Sequence, residues 1–379
     1  GYASHMIHAR RTLVACLALA LTCGCSGGGG GSSSGAASAG STGASTSTST
    51  GGSTGGSTGG STGAIPDPRA GGPAMLVSGW LPDWAGQPGL DSLVTGAGAY
   101  DEVSPTWYGL KADGTLSARS FANDAAFVAR MHAAGVAVVP MIDDFAISGA
   151  GPVVRSATAE AKLVASIVDV CVRYDLDGID IDFEGMGQVS RDAFSAFLRD
   201  LGAELHARGK RLSAAVYPKT SEPGGWSGPQ SHDYAAMGAA VDEFKVMLYA
   251  FDGPVAPLTY MTSVIAFAKT LVPAEKIYAG IPFYGWDKPA SGTKKSLTES
   301  GAEALRTTLG KALVRDAASQ EASFLYTDSA GVAHTVFWQD GVSIGAKCDL
   351  AKAKGIAGVA IWRLGGEQQD IWDAIRARR

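Results

Sequence analysis

The sequence repeats a two-part unit, in which a short run rich in apolar and β-branched residues is followed by a segment with helical periodicity. This order, repeated along a chain, is typical of a parallel sheet covered by helices. Eight units in series favour closure into a (β/α)8 TIM barrel of the α/β class, and an open doubly wound sheet is the alternative. The predicted strands span residues 76–82, 102–107, 136–142, 178–184, 211–217, 244–249, 276–283 and 356–362. The clearest predicted helices span residues 123–134, 158–173, 191–208 and 257–270.

One connection is much longer than the others, between predicted strands seven and eight, over residues 287–354. Within it, residues 322–327 and 334–338 have the composition of two strands joined at the turn-forming residues 328–331. We therefore predict a small insertion that contains a β-hairpin and lies beside the mouth of the barrel.

The first 25 residues have the features of an export signal. Residues 1–5 look like a cloning scar ahead of Met6, and residues 6–25 combine a positively charged start, the apolar run 13–21 and a small-residue end. The apolar run is too short to span a membrane. Gly24-Cys25 resembles the end of a bacterial lipobox, which predicts lipidation of Cys25 and a lipoprotein at the outer membrane or cell surface. Secretion without an anchor is the alternative.

Residues 26–64 contain only Gly, Ser, Thr and Ala. Such a segment has no apolar area to bury, so we predict a disordered tether. Residues 65–379 then form one large domain of the size expected for an α/β barrel.

Composition excludes some partners and constrains the cysteines. The net charge is −5 with both signs mixed along the chain, so no basic stripe indicates binding to nucleic acid. Three of the five cysteines belong to the leader, which leaves Cys171 and Cys348. Their predicted helices lie on opposite sides of a closed barrel, too far apart for a disulfide, so we expect two buried free thiols.

The fourth predicted strand carries a row of carboxylates. A period of two places apolar residues on one face and Asp180, Asp182 and Glu184 on the other. Like charges this close raise one another's pKa, which can keep a carboxyl protonated near neutral pH as a general acid. A solvated or metal-binding acidic edge is the alternative, but a metal site would usually recruit His or further acids.

The ends of the other predicted strands supply residues suited to a saccharide cleft. Active sites of barrels lie at the carboxyl ends of the strands, and aromatic rings stack on the apolar faces of sugars. Any one of these residues could instead be core, and Trp372 in the last helix is expected to be packing. The candidates are Trp80, Trp107, Tyr108, Asp143, Tyr217, Met247, Tyr249, Tyr284, Trp286, Trp362 and Arg363.

Residues 177–184, DGIDIDFE, resemble the DGxDxDxE signature of glycoside hydrolase family 18, the chitinase-like hydrolases. Met247-Leu248-Tyr249 is similar to the M-x-Y of the family's sixth strand, and Trp362 matches its strand-eight tryptophan. Residues 141–145 replace the SxGG run of typical chitinases. With residues 104–108 and 362–367, this departure resembles the bacterial branch that contains spore-cortex-lytic and other cell-wall enzymes.

The resemblance implies retaining, substrate-assisted hydrolysis of β-linked N-acetylglucosamine glycans, either chitin-type or peptidoglycan. Glu184 would protonate the glycosidic oxygen, Asp182 would orient the acetamido N–H, and Asp180 would share a proton with Asp182. Tyr249 would hold the acetamido carbonyl, and Trp362 would lie beneath the sugar at the cleavage site. Ala250 stands where the family often has Asp or Asn, and Asp252 is a candidate substitute.

The resemblance implies no metal and no organic cofactor, and we expect a monomer that binds an N-acetylated polysaccharide or oligosaccharide. The alternative is a non-catalytic, carbohydrate-binding lectin on the same barrel, since a fold does not fix a function. Members that lose activity usually lose the acid, and Glu184 is present. Glu184 therefore favours the enzyme.

Overall fold

The computed structural model describes residues 75–147 and 149–379. Its strands are β1 (Leu76–Leu81), β2 (Glu102–Pro105), β3 (Tyr108–Leu110), β4 (Leu116–Ala118), β5 (Ala137–Val138), β6 (Met141–Asp143), β7 (Gly178–Asp182), β8 (Arg211–Val216), β9 (Glu243–Met247), β10 (Ile277–Pro282), β11 (Gly285–Pro289), β12 (Lys295–Leu297), β13 (Val314–Arg315), β14 (Ala322–Thr327), β15 (Ala333–Trp338) and β16 (Gly358–Trp362). Its helices are α1 (Gly86–Thr95), α2 (Ala125–Ala133), α3 (Gly151–Val154), α4 (Ala157–Arg173), α5 (Arg191–His206), α6 (Ser227–Gln230), α7 (Tyr234–Ala240), α8 (Leu258–Ala268), α9 (Glu299–Thr308), α10 (Gly341–Lys354) and α11 (Gln369–Arg376).

The parallel strands form a closed ring in the order β3, β6, β7, β8, β9, β10, β16, β1, β2 and β5. The second barrel strand consists of β2 and β3, and the third consists of β5 and β6. The ring closes between these two strands, because β2 pairs with β5 and β3 pairs with β6. The predicted (β/α)8 barrel is therefore present, with the parallel strands joined through helices on the outside.

The second and third predicted strands are each broken in two, so the continuous strands predicted at 102–107 and 136–142 are wrong in detail. Pro140 lies between β5 and β6, where it has no N–H to donate to a ladder. In the second strand, the N–H of Trp107 bonds back to the carbonyl of Pro105 at 2.8 Å, which turns the chain before β3. The unpredicted strand β4 then pairs antiparallel with β3.

The four predicted helices are found as α2, α4, α5 and α8, each within about two residues of its expected ends. The carboxylate of Asp124 accepts hydrogen bonds from the N–H groups of Ala126 and Phe127, which fixes the start of α2. The predicted apolar face of α5 is buried, and its residues are Phe194, Phe197, Leu198, Leu201 and Leu205.

The insertion is larger than the small hairpin that the sequence predicts. The hairpin is found as β14 and β15, but it belongs to an antiparallel sheet in the order β12, β11, β15, β14 and β13. Helix α9 lies between β12 and β13 in the chain. This sheet has a small core of its own, formed by Ala302, Ala322, Phe324, Val336 and Trp338. At Gly285 the strands approach so closely that a Cβ atom would meet the carbonyl oxygen of Phe337 at 2.2 Å.

Cys171 and Cys348 are buried free thiols, as expected. Among the helices of residues 75–147 and 149–379, none has both the length and the apolar composition needed to cross a bilayer. The predicted cloning scar (1–5), signal peptide (6–25) with Cys25, and linker (26–64) lie outside the described residues.

Candidate active site

The carboxylate row lies inside the barrel at the end of β7. Asp180 and Asp182 are buried within the strand, and Glu184 follows its end at 6% exposure. On the opposite face, the ring of Phe183 stacks on Phe197 of α5 at a centroid distance of 5.9 Å. The alternation therefore has the predicted sense, with the apolar face against a helix and the carboxylates toward the barrel axis.

Four donors from four other strands converge on the carboxylate of Asp180. The indole Nε1 of Trp80 donates to Oδ2 at 2.7 Å, and the hydroxyl of Ser104 donates to the same oxygen at 3.1 Å. Ser213 donates to Oδ1 at 2.8 Å, and the ammonium of Lys245 lies 3.4 Å from Oδ2. Asp180 is thus an anchored group at the base of the row, held by hydrogen bonds and by a cation.

The backbone on both sides of Glu184 is held by residues from the neighbouring strand ends. The N–H of Glu184 donates to Oδ1 of Asp144 at 3.1 Å, and the N–H of Gly185 donates to Oδ2 at 3.1 Å. The hydroxyl of Tyr217 donates to the carbonyl oxygen of Glu184 at 3.4 Å. These bonds fix where the candidate acid leaves the strand.

Asp144 also ties the loop after the third strand to the loop after the fourth, because its Oδ2 accepts from the N–H of Ala150 at 2.8 Å. Burial raises the pKa of Asp144 to about 6, the three backbone N–H donors act in the opposite direction, and the charge of Glu184 adds to the rise. Asp144 follows the predicted strand 136–142 by two residues, but local spacing does not predict its contact with Glu184.

Trp362, at the end of β16, is a partly exposed ring beside the carboxylate row. Trp80 and Trp84 contact it edge-on, with ring centroids 6.0 and 6.3 Å away. Trp80 itself is 1% exposed and bonds to Asp180, so it supports the cleft from below. The indole N–H of Trp84 is buried and has no hydrogen-bond partner among the described residues.

A second aromatic series follows the ends of β9 and β10. The rings of Tyr249 and Tyr284 meet edge-on at 6.3 Å, and those of Tyr284 and Trp286 at 5.0 Å. The ammonium of Lys294 lies 4.1 Å from the ring centroid of Trp286 and 2.9 Å from the carboxylate of Asp252. Asp252, the candidate substitute for the family's acidic residue, is therefore ion-paired at the surface of the insertion.

Several predicted cleft residues lie in packing positions. Trp107 contacts Phe127 of α2 edge-on at 5.8 Å, and the hydroxyl of Tyr108 donates to Asn123. The carboxylate of Asp143 is fully buried and lies 2.6 Å from the guanidinium of Arg119. The predicted roles of these three residues in sugar binding stay predictions.

The remaining candidates lie at the ends of other barrel strands. Tyr217 is fully buried against the rings of His232 and Trp226, at 5.3 and 4.7 Å. Met247 is buried at the end of β9. Arg363 is half-buried, and its guanidinium donates to the carbonyl oxygens of Leu364 and Gly365. Burial lowers the pKa of Arg363.

The chain is similar in sequence to one family of known proteins. Residues 145–367, more than half of the chain, match the sequence model of the glycosyl hydrolases family 18. A cortical fragment-lytic enzyme of Bacillus anthracis is 31% identical over 224 residues, which cover 56% of this chain and 52% of that protein. The chain thus spans about half the length of the cortical fragment-lytic enzymes that it matches.

Two solved structures have the same fold. A chitinase from Chromobacterium violaceum ATCC 12472 superposes with a TM-score of 0.74 at 26% identity, and the match covers 80% of this chain and 98% of that one. The Bacillus cereus spore cortex-lytic enzyme superposes with a TM-score of 0.71 at 24% identity, over 80% of this chain and 74% of that one. These superpositions agree with the barrel described above.

Proposed function

The chain belongs to glycosyl hydrolase family 18, in the branch with the cortex-lytic enzymes that its sequence predicts, and on this premise we propose that it cleaves β-linked N-acetylglucosamine glycans with retention by substrate-assisted catalysis. The observation that carries the proposal is the row of Asp180, Asp182 and Glu184 inside the mouth of the barrel. The partly exposed ring of Trp362 beside the row supports a sugar-binding cleft.

In the proposed reaction, Glu184 donates its proton to the glycosidic oxygen while the substrate's own acetamido oxygen attacks C1. The bond from C1 to the leaving sugar breaks, and an oxazolinium ion forms. Water, deprotonated by Glu184, then attacks C1 from the opposite side and opens the ring. Two inversions restore the starting configuration, and Glu184 is protonated again.

The other members of the row act on the acetamido group. Asp182 accepts a hydrogen bond from the acetamido N–H, and the negative charge of the Asp180–Asp182 pair stabilises the positive charge that develops on the oxazoline ring. Asp180 shares a proton with Asp182, so the two carboxyls act as a pair. Tyr249 holds the acetamido oxygen close to C1, which supplies part of the rate through orientation.

The substrate class rests on the names of the relatives. Proteins that match this chain carry the names cortical fragment-lytic enzyme and chitinase. We propose that this chain acts on a polymer that bears an acetamido group at the cleaved sugar, and that both peptidoglycan and chitin-type chains qualify.

The test is a digestion of chito-oligosaccharides and of purified peptidoglycan, side by side, by the wild type and by Glu184→Gln, with products identified by mass spectrometry. The substitution keeps the size and polarity of the side chain but removes the transferable proton. We expect cleavage of at least one polymer and a loss of several orders of magnitude in kcat in the variant. Binding of a polymer without cleavage by the wild type would support the lectin and contradict the proposal.

We further propose that the protein is an exported, monomeric lipoprotein anchored through Cys25, with the barrel held away from the membrane by residues 26–64. The sequence Gly24-Cys25 and the composition of the linker support it. The chain from Met6 onward, expressed in a bacterium, should sediment with membranes and be released by detergent. Cys25→Ser is the control and should be soluble, and a wild type that is equally soluble would contradict the anchor.

A further inference from the structure

A group of buried charges lies inside the barrel directly below Asp180. Lys245 of β9 is 0% exposed, and its ammonium contacts three carboxyl groups. The distances from Nζ are 2.7 Å to Glu102, 3.2 Å to Glu243 and 3.4 Å to Asp180. Arg211 completes the cluster, with 3.1 Å to Glu102 and 2.6 Å to Glu243. Lys245 is thus the cation that joins this cluster to the carboxylate row.

The cluster is balanced in charge when one carboxyl is protonated. Burial, followed by the charge of Glu102, raises the pKa of Glu243 to about 7. Burial acts in the same direction on Glu102, but Lys245 and Arg211 outweigh it and lower the pKa of Glu102 to about 2. Two cations therefore face the carboxyl groups of Glu102, Glu243 and Asp180, and a proton in the cluster is held by Glu243 in preference to Glu102.

Lys245 stays charged although it is fully buried. Burial by itself favours the neutral amine, but the attraction of Asp180, Glu102 and Glu243 outweighs it and raises the pKa of Lys245. The ammonium also lies 5.8 Å from the ring centroid of Trp80, the indole that donates to Oδ2 of Asp180. A permanent cation and an N–H donor therefore approach the same carboxylate oxygen.

We propose that Lys245 is a positioning residue, whose ammonium keeps Asp180 in the carboxylate form and in place, so that the proton shared by the Asp180–Asp182 pair stays on Asp182 at the substrate. The proposal rests on the proposed function for its kinetic consequence. The position of the ammonium relative to Asp180 can also be tested without a substrate.

The opposite end of the cluster reaches a cavity of about 330 Å³ at the amino ends of the strands, lined in part by Ser78, Glu102, Arg211 and Glu243. Protons can therefore exchange with the cluster from the side away from the sugar cleft. The ionisable groups that act on the cluster from the surrounding barrel segments are Asp101, Asp177, Asp180 and Tyr278.

The test is the double variant Lys245→Met/Glu102→Gln, which removes one cation and one anion together and leaves the cluster balanced. The matched control is Lys347→Met/Glu321→Gln, since Lys347 and Glu321 are also 0% exposed and form an ion pair at 3.4 Å. The described contacts of that pair lie in the insertion and the loop before α8, not in the carboxylate row. Thermal unfolding of both variants reports any loss of fold.

For the first double variant we expect kcat to fall about tenfold or more, with KM within about twofold of the wild type. The low-pH limb of the kcat profile should move up by about one pH unit, because an opposite charge at this distance shifts a carboxyl titration by that order. The control should keep the wild-type limb. A folded double variant with wild-type kcat and an unmoved limb would overturn the proposal and leave Lys245 with a structural role only.

Lys245→Arg keeps a cation and provides a second route if the double variant does not fold. Its low-pH limb should stay within about 0.3 pH unit of the wild type, whereas a movement of a full pH unit in a folded Arg variant would show that the charge is not the cause.

If the wild type cleaves no polymer, the proposed function fails, and ¹³C titration of the Asp180 carboxyl, assigned with Asp180→Asn, decides on Lys245 alone. An upward shift of about one unit in the double variant supports the proposal, and an unchanged titration overturns it.

Discussion

The backbone on both sides of the Glu184 side chain is held by three hydrogen bonds. Its N–H and that of Gly185 bond to Asp144, and its carbonyl oxygen accepts from Tyr217. A general acid must reach the glycosidic oxygen to within hydrogen-bond distance, so a fixed backbone limits how far the carboxyl can stray. We therefore expect the loss of the Asp144 carboxylate to change the position of the Glu184 carboxyl, which remains present as the acid.

Asp144→Asn should lower kcat by roughly tenfold to a hundredfold, with a smaller change in KM. The variant keeps one acceptor oxygen, but its amide group meets N–H donors that the carboxylate satisfied. Steady-state kinetics and thermal unfolding measure the two effects. Asp124→Asn is the matched control, because Asp124 also accepts two backbone N–H bonds but lies at the start of α2. Equal kcat values in Asp144→Asn and the wild type would contradict this role.

Ala250, directly after Tyr249, has a φ of 81°, in the left-handed region that a Cβ atom disfavours. Ala250→Gly should therefore raise the free energy of unfolding by about 1 kcal/mol. Urea unfolding measures it. Ala203→Gly, at an exposed position of α5, should have the opposite sign and cost about 1 kcal/mol. A destabilised Ala250→Gly would mean that the strain is compensated by contacts of the alanine methyl group.

The sequence contained part of the signal for Lys245. Counting back from Met247 in steps of two places Lys245 and Glu243 on the inward face of β9, and both are buried there. Their partners, Glu102 and Arg211, come from strands more than 30 residues away along the chain. Local periodicity predicts which way a side chain points, but it does not predict which strands close around it.

At the scale of elements, the strands that the sequence placed well are those with long alternating or apolar runs, such as β7 and β10. The unpredicted strands β12 and β13 are three and two residues long and partly exposed, so they have no pattern of their own. They exist because the hairpin β14–β15 and β11 offer edges to pair with. Tertiary pairing rather than local preference determines such strands.

Helix α9 of the insertion begins with a buried carboxyl, Glu299, whose Oε2 accepts from the N–H of Gln368 at 2.9 Å. Burial, followed by the charge of Asp370, raises the pKa of Glu299 to about 8. Because the folded pKa lies above the ordinary value, the stability linked to this group is present below about pH 4.5 and is lost as the pH rises toward 8.

Glu299→Gln should therefore stabilise the protein at pH 8, by on the order of 2 kcal/mol, and have little effect near pH 4.5. The glutamine keeps the acceptor for Gln368 and removes the charge. Urea unfolding at both pH values measures the difference. Glu303→Gln, one turn along the same helix and partly exposed, should show no such pH dependence. An equal effect at the two pH values would contradict the assignment to a buried proton.

At the scale of the whole molecule, the barrel brings the carboxylate row, the aromatic rings and the charge cluster onto one axis. The carboxyl end of β7 presents Glu184 to the cleft, and the amino ends of β8 and β9 carry Arg211 and Glu243. The sequence placed the row and the candidate rings at strand ends, where barrel sites lie. It left open that any one of the rings is core, but it did not single out Trp107 and Tyr108, because the turn before β3 redirects the chain.

The measurement that tests the central claim most directly is the anomeric form of the first product. Proton NMR can follow the digestion of a chito-oligosaccharide by the wild type, within the first minutes, before the anomers equilibrate. Substrate-assisted catalysis predicts that the new reducing end appears as the β-anomer, and that Glu184→Gln releases none at a comparable rate. Initial release of the α-anomer would contradict the account, because it requires direct attack by water instead of the acetamido group.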